Sequence, residues 1–321
     1  MDDLSHAMIP INTGAAIPAL GFGTLIPDRA VTRSAVTTAL QVGFRHLDCA
    51  ERYGNEREIG EAIHTALSTG VLRRQDLFVT TKLWNNNHRP DRVGPALHAS
   101  LKRLGLDYVD LYLMHTPFAF KPGDDQEPRD ADGKLIYDNG VTLAETWHAL
   151  EGLVATGACR AIGLSDVEEP QLTEVLEAAT IPPAVVEVEA HPYLPQTELF
   201  NLCRQHDIVM LAFAPLGHSM EPRVLDDPAV IDIARRVGET PAQVLLAWAV
   251  QRGTALLTTS KTPSRIRENF DISPIPQDAV AQLNRIDTRH RYNFVVDTGL
   301  PGFIPRRSTD GDGAPRPHPQ A

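Results

Sequence analysis

Four side chains in the first third of the chain can exchange or steer a proton: Asp48, Tyr53, Lys82 and His115. Asp48 closes the short run Phe44-Arg45-His46-Leu47-Asp48, and Tyr53 follows just before Gly54-Asn55-Glu56. Lys82 lies near the end of the run Phe78-Val79-Thr80-Thr81-Lys82-Leu83-Trp84, and His115 ends Val109-Asp110-Leu111-Tyr112-Leu113-Met114-His115. Each apolar run reads as a strand that finishes on a polar residue. A β/α barrel puts its chemistry at the C-terminal ends of successive strands. An acid, a tyrosine, a lysine and a histidine gathered in one mouth would form a proton-transfer site.

The elements that must position them alternate along the chain. Residues 8–18 read as a hairpin around Asn12-Thr13-Gly14, and Ala19-Leu20-Gly21-Phe22-Gly23-Thr24 as a first strand whose glycines allow close backbone approach to a ligand. Apolar spacing predicts helices over 29–42, near 55–68 and over 90–103, with strands at 45–48, 77–82 and 108–114. The segment 117–140 is polar and rich in Pro, Gly and Asp, a long loop on the same face as His115. Thr142 can cap a helix over 143–155 that Gly157 stops. Strands at 160–166, 184–189, 208–213 and 255–259 follow, with helices over 168–178, from Pro195 through Cys203, over 242–251, from Thr262-Pro263-Ser264 onward, and over 276–286. Such alternation implies a parallel sheet, and its length and count favour a closed (β/α)8 barrel over an open doubly wound sheet. One domain is expected over 1–305, with a disordered Pro/Gly/Asp-rich tail over 306–321.

Composition narrows the partners. With 321 residues, 42% of them hydrophobic, the chain can build a sizeable core. The formal net charge of -11 argues against nucleic acid or an anionic membrane as a partner. No apolar run approaches the roughly 20 residues of a membrane span. The start Met1-Asp2-Asp3-Leu4-Ser5-His6-Ala7-Met8 does not read as a signal peptide, and Cys49, Cys159 and Cys203 show no CxxC pattern. These features predict a cytoplasmic protein with reduced thiols, a monomer or weak homodimer. No metal is expected, because the histidines are scattered and no HExxH motif is present.

Eight stretches together resemble the aldo-keto reductases: Gly21-Phe22-Gly23-Thr24, Asp48 with Tyr53-Gly54-Asn55-Glu56, Thr81-Lys82-Leu83-Trp84, Leu113-Met114-His115, Ile162-Gly163-Leu164-Ser165, Glu189-Ala190-His191-Pro192-Tyr193, Pro215-Leu216-Gly217 and Arg265-Ile266-Arg267-Glu268-Asn269. They run in family order from about residue 10 to residue 305. The resemblance implies a (β/α)8 barrel with an N-terminal hairpin, long active-site loops and a C-terminal substrate loop. It also implies an extended NADPH bound without a Rossmann glycine loop, and a small carbonyl substrate. Asp48, Tyr53, Lys82 and His115 match the family's catalytic tetrad. In that setting hydride attacks a carbonyl carbon while a proton must reach the oxygen. A free tyrosine titrates near ~10, and the Lys82 ammonium is expected to lower that value. Asp48 would hold Lys82 in place, and a neutral His115 would orient and polarise the carbonyl.

By the same resemblance Gly23, Thr24, Asp48, Ser165, Asp166, Glu187, Phe213, Leu216, Ser260, Lys261, Arg265, Glu268 and Asn269 contact the cofactor. Two acids depart from the pattern: Asp166 stands where Asn is usual and Glu187 where Gln is usual. If they converge, like charges should leave a proton on one of them. Thr259 takes the usual lysine position of the 2′-phosphate clamp, with Lys261 two residues on, so NADPH is favoured and NADH is left open. Leu25, Trp84, Thr116 and Phe118, with the loop 117–140 and the stretch Tyr292–Phe303, would form the substrate pocket. Leu25 and Thr116 stand where tryptophans are frequent, which predicts a roomier, less aromatic site. Two other readings are kept: a cofactor-binding regulatory subunit with little turnover, and an enzyme working mainly in the oxidising direction.

Overall fold

A closed ring of parallel strands carries the site. The structure is a computed structural model and describes residues 3–293. The expected tail, and residues 294–303 of the expected substrate loop, lie outside the described residues. An antiparallel hairpin comes first, β1 (Met8–Pro10) and β2 (Ala16–Pro18), with Ile9 opposite Ile17. The barrel strands are β3 (Leu20–Gly23), β4 (His46–Asp48), β5 (Phe78–Leu83), β6 (Val109–Met114), β7 (Cys159–Ser165), β8 (Val185–Glu189), β9 (Val209–Phe213) and β10 (Ala255–Thr258). They pair in sequence order, and β10 closes onto β3 through Leu256–Leu20 and Thr258–Phe22.

The connecting helices are α1 (Arg29–Val42), α2 (Glu56–Ser68), α3 (Pro90–Leu104), α4 (Leu143–Thr156), α5 (Glu169–Ala178), α6 (Thr197–Gln205), α7 (Pro228–Val237), α8 (Pro241–Gln251), α9 (Pro263–Phe270) and α10 (Gln277–Leu283). Their ends are written locally. Asp28 accepts from Val31 N at 3.0 Å to start α1. Thr142 with Glu145, and Thr240 with Gln243, form reciprocal capping boxes on α4 and α8. Gly105 and Gly157 take left-handed conformations that end α3 and α4.

Two layers of core follow from the period of two along a strand. Outward side chains such as Val79, Tyr112, Ile162, Val186 and Met210 pack under the helices. Inward ones, Phe78, Leu111, Leu113, Ala161, Val185, Val209, Leu211, Ala255 and Leu257, fill the barrel together with Ile11 and Ile17 of the hairpin segment, which plugs its floor. The same parity sends the next inward position on each strand to the upper end. Above Phe78 come Thr80 and Lys82; above Val185 comes Glu187; Asp48 ends β4 and Ser165 ends β7.

Two sequence expectations change. No element is expected between the loop 215–219 and Thr240, yet α7 lies there, capped by Asp227 on Ala229 N, opened by Pro228 and closed by Gly238 at φ 77°. Its start and stop signals are present in the sequence and simply outvoted by the loop-like stretch before them. The sixth helix begins at Thr197 rather than Pro195, because Gln196 is left-handed at φ 53°.

Gly163 on β7 marks where the barrel wall is tightest. A Cβ there would lie 2.3 Å from the Val185 carbonyl oxygen and 2.7 Å from Leu113 Cδ2, whereas a Cβ on Gly152 in α4 would meet nothing within 4 Å. Gly163→Ala should therefore lose about 1–3 kcal/mol by overpacking. Gly152→Ala should gain about 0.5–1 kcal/mol by helix propensity. Urea denaturation of both variants reads the two opposite signs.

Candidate active site

A single ammonium organises the mouth of the barrel. Lys82 is fully buried on β5 and forms an ion pair with Asp48 Oδ1. Its Nζ also lies 3.3 Å from the Cys49 carbonyl oxygen, 3.4 Å from the Tyr53 hydroxyl and 3.4 Å from Glu187 Oε1. Burial alone would strip its proton. Asp48 first, then Glu187 and Tyr53 when they ionise, outweigh that and hold Lys82 well above the ordinary lysine value. Below it, His46 Nε2 and Thr80 Oγ1 are 2.9 Å apart, and burial pushes His46 down to about 3, so the layer under the ammonium is neutral.

The loop that brings Tyr53 over Lys82 is pinned from inside. Tyr53 ends the one-turn helix Glu51–Tyr53, and Gly54 turns the chain at φ 67°. Asn55 then donates from Nδ2 to the Thr24 carbonyl at 2.8 Å and the Ile26 carbonyl at 3.2 Å. Thr24 in turn donates its hydroxyl (2.7 Å) and its N–H (3.1 Å) to the Asp48 carbonyl. Thr24 is fully buried, and its polar groups serve the Asp48 turn rather than reaching outward as the sequence suggests.

Tyr53 itself is partly exposed and stands edge-on to His115, ring centroids 5.7 Å apart. Its pKa does not fall as the sequence suggests. Lys82 does favour the phenolate, but burial is the larger effect, and Asp48 and Glu187 add to it, so the phenol sits above the ordinary tyrosine value. His115 is placed by its N–H on the Leu83 carbonyl at 3.1 Å and by the edge of Trp84 at 5.0 Å. Burial, with Lys82, Arg52 and His88 adding, keeps it well below the ordinary histidine value and hence neutral.

Beside this group lie the two acids. Asp166, left-handed at φ 54°, donates its N–H to the Glu187 carbonyl at 2.9 Å. Its Oδ1 is sealed without a partner, and burial pushes its carboxyl up to about 7. Glu187 turns toward Lys82 and Asp48, a contact the sequence does not reveal because it depends on barrel parity across three strands. Burial and then Asp48 push Glu187 well above the ordinary glutamate value. Glu187 Oε2 likewise has no partner. Asp166, 9% exposed, is the acid that can accept from a ligand bringing N–H donors, as a nicotinamide carboxamide would.

The remaining candidates ring the same end of the barrel. Ser165 is buried at the tip of β7, Phe213 is half-buried at the tip of β9, and Leu216 follows it. Gly23 leaves room for Thr259, whose hydroxyl donates to the Gly23 carbonyl at 3.0 Å; a Cβ on Gly23 would meet that hydroxyl at 2.5 Å. Lys261 and Arg265 are exposed and form no ion pair among the described residues, and Glu268 is half-buried. Ser260 Oγ accepts from Thr262 N at 3.1 Å, and Asn269 is buried with Nδ2 on Thr258 Oγ1 at 2.6 Å. On the substrate side Trp84 and Phe118 cluster with Phe120, Thr116 donates to Asn85 Oδ1 at 2.9 Å, and Leu25 is 58% exposed. Arg52, not singled out in the sequence, pairs with Glu127 and lies over Trp84 at 5.4 Å. Its position one residue before Tyr53 is the signal that could have found it.

The chain is similar to known proteins over nearly its whole length. The profile of the aldo/keto reductase family matches residues 19–288. Aldo-keto reductase family 1 member A1 of Bos taurus is 42% identical over 98% of this chain and 96% of its own length, and the Homo sapiens protein of that name is 41% identical over the same shares. A solved aldose reductase from Schistosoma japonicum superposes with a TM-score of 0.87 at 37% identity, covering 96% of this chain and 100% of its own.

Three histidines should be silent to acid. Burial holds His46 and His88 at about 3 and His115 well below its ordinary value. Their ring signals in NMR should not move between about pH 8 and pH 5, where a free imidazole titrates near ~6.5. A His115 signal that moves near neutral pH would contradict the neutral donor.

Proposed function

The chain belongs to the aldo/keto reductase family and is an oxidoreductase of carbonyl and alcohol groups; from that premise we propose that it reduces an aldehyde or ketone with NADPH, using Tyr53 as proton donor. The observation that carries this reading is the buried Lys82 in contact with both Asp48 and the Tyr53 hydroxyl, beside a neutral His115.

When bound, NADPH would supply the hydride to the carbonyl carbon. The chain's own residues do the rest. His115 donates a hydrogen bond to the carbonyl oxygen and so sets which carbon faces the hydride. Tyr53 delivers its hydroxyl proton to the same oxygen as charge builds there. Its raised pKa keeps that proton in place at neutral pH until the oxygen becomes the stronger base. Lys82, 3.4 Å from the hydroxyl, stabilises the phenolate that remains. Asp48 holds Lys82 on axis. Trp84, Phe118 and Phe120 wall the pocket with apolar surface, which excludes water and strengthens these interactions.

Ser165, Asp166 and Glu187 would take the carboxamide, and Phe213 would stack on the nicotinamide ring, with Gly23 and Leu216 alongside. Lys261 and Arg265 would fork onto the 2′-phosphate, helped by Ser260, while Glu268 and Asn269 face the adenine. NADH remains usable to the extent that this clamp contributes little. The exposed Leu25 and the small, internally bonded Thr116 favour bulkier carbonyl substrates. The three buried free cysteines suit a reducing cytoplasm, and no helix among the described residues is long and apolar enough to cross a membrane.

Steady-state oxidation of NADPH against a panel of aldehydes and ketones tests the reading. Turnover with some of them is expected; NADPH binding without turnover on any would favour the regulatory reading. Tyr53→Phe should lose about 10²–10⁴-fold in kcat while still binding NADPH. Near-normal turnover in that variant would remove Tyr53 as the donor. Arg265→Ala should weaken NADPH by roughly 10- to 100-fold, as loss of a charged hydrogen bond does, and leave NADH little changed. Equal losses for both cofactors would place the clamp elsewhere.

A further inference from the structure

One buried cation faces more negative charge than it can neutralise. Around Lys82 Nζ stand Asp48 from β4 and Glu187 from β8, and the Tyr53 hydroxyl above; Asp166, after β7, is the third acid of the group. Besides burial, the charges of Arg291, Glu189 and Lys82 act on Asp166. Lys82, Asp48 and Glu187 are 0%, 2% and 3% exposed, so water cannot screen them. With both carboxylates ionised the group around Lys82 carries an unmatched negative charge in a dry site.

The geometry also shows where a proton belongs. Glu187 Oε2 is sealed and has no donor in reach. Asp48 and Glu187 both turn an oxygen to the same Lys82 ammonium. One ammonium matches one carboxylate, so in a site this dry the second carboxyl keeps its proton. Asp48 lies closer to the ammonium than Glu187, whose oxygen is 3.4 Å away, so the proton settles on Glu187.

We propose that Glu187 is a neutral carboxylic acid in the free protein at neutral pH, and that it gives its proton to solvent when a positively charged nicotinamide is bound at the barrel mouth. The inference rests on the cofactor placement proposed above. The balance is simple: the Glu187 O–H bond breaks, the proton passes to water or buffer, and the new carboxylate faces the cationic ring. No electron moves in this step. A glutamine, the residue usual in the family at this position, has no such proton to lose.

The consequence is a pH-dependent preference between the two redox forms. The complex with NADP⁺ holds fewer protons than its separate parts. Its affinity therefore rises with pH between the titration of Glu187 in the complex and in the free protein, by at most about tenfold per pH unit. The neutral ring of NADPH displaces no proton from Glu187, and the 2′-phosphate titrates alike in both forms, so the ratio of the two affinities carries the Glu187 dependence. Glu187 thereby ties the direction of the reaction to pH.

Infrared spectroscopy and calorimetry on the full chain test this. Protein labelled with 13C-carboxyl glutamate should show a protonated-carboxyl C=O band near pH 7, absent in Glu187→Gln and kept in Asp166→Asn. The wild-type spectrum needs no variant to fold, so a missing band there overturns the proposal by itself. Titration of NADP⁺ and of NADPH in two buffers of different ionisation heat cancels the proton lost by the shared 2′-phosphate: NADP⁺ should release up to one proton more per site than NADPH in wild type and in Asp166→Asn, and no more than NADPH in Glu187→Gln. An NADP⁺ excess that persists in Glu187→Gln, or its absence from wild type, overturns the proposal while the reductase reading stands. Failure of either dinucleotide to bind overturns both.

Discussion

A fully buried ammonium is the constraint on which the rest depends. Taking an ion of that size out of water has an effective penalty of several kcal/mol, which only well-placed partners offset. Lys82 has them: the Asp48 carboxylate, the Cys49 carbonyl oxygen at 3.3 Å, and the Tyr53 hydroxyl and Glu187 at 3.4 Å each. They come from two strands, β4 and β8, and the loop after β4, so the site exists only when the barrel is closed and in register. The same ion then serves the chemistry, because a charge already desolvated acts on the phenol at full strength.

The scaffold around that ion is arranged to keep it single. The interior below is apolar, floored by Ile11 and Ile17, and the one histidine close beneath, His46, is held neutral by burial. Gly21, Gly23 and Gly163 let the walls approach where a side chain would collide with His46, Thr259 or the Val185 carbonyl. Thr24 and Asn55 spend their hydrogen bonds on the Asp48 turn and the loop behind Tyr53. Glu189, farther round, is fully buried; its carboxylate accepts from His191 Nε2 at 2.9 Å and from the N–H groups of Tyr292 and Asn293, both at 2.7 Å. That fastens the chain just before it leaves the described residues.

Most of the architecture was legible because it is local. Strand and helix periods, Thr142 and Thr240 as caps, and Gly105 and Gly157 as stops all act within a few residues. The gathering of Asp48, Tyr53, Lys82 and His115 in one mouth was legible through type and strand-end position. What was hidden depends on parity and burial across the ring. Glu187 reads, with Asp166, as an acid in place of an amide, yet in the fold it joins the Lys82–Asp48 pair. Tyr53 reads as a phenol acidified by lysine, yet its burial outweighs the ammonium. Thr24 reads as a ligand contact, yet its polar groups are committed inside. Distances of a few ångströms and the balance between burial and charge decide these cases, and neither is written in spacing.

The proton inventory of the mouth is the central claim, and neutron diffraction from the deuterated free protein near pH 7 reads it directly. The account predicts all three ammonium deuterons on Lys82, a deuteron on the Tyr53 hydroxyl and a neutral His115 ring. A neutral Lys82 amine, a Tyr53 phenolate, or a His115 ring carrying both deuterons would contradict it.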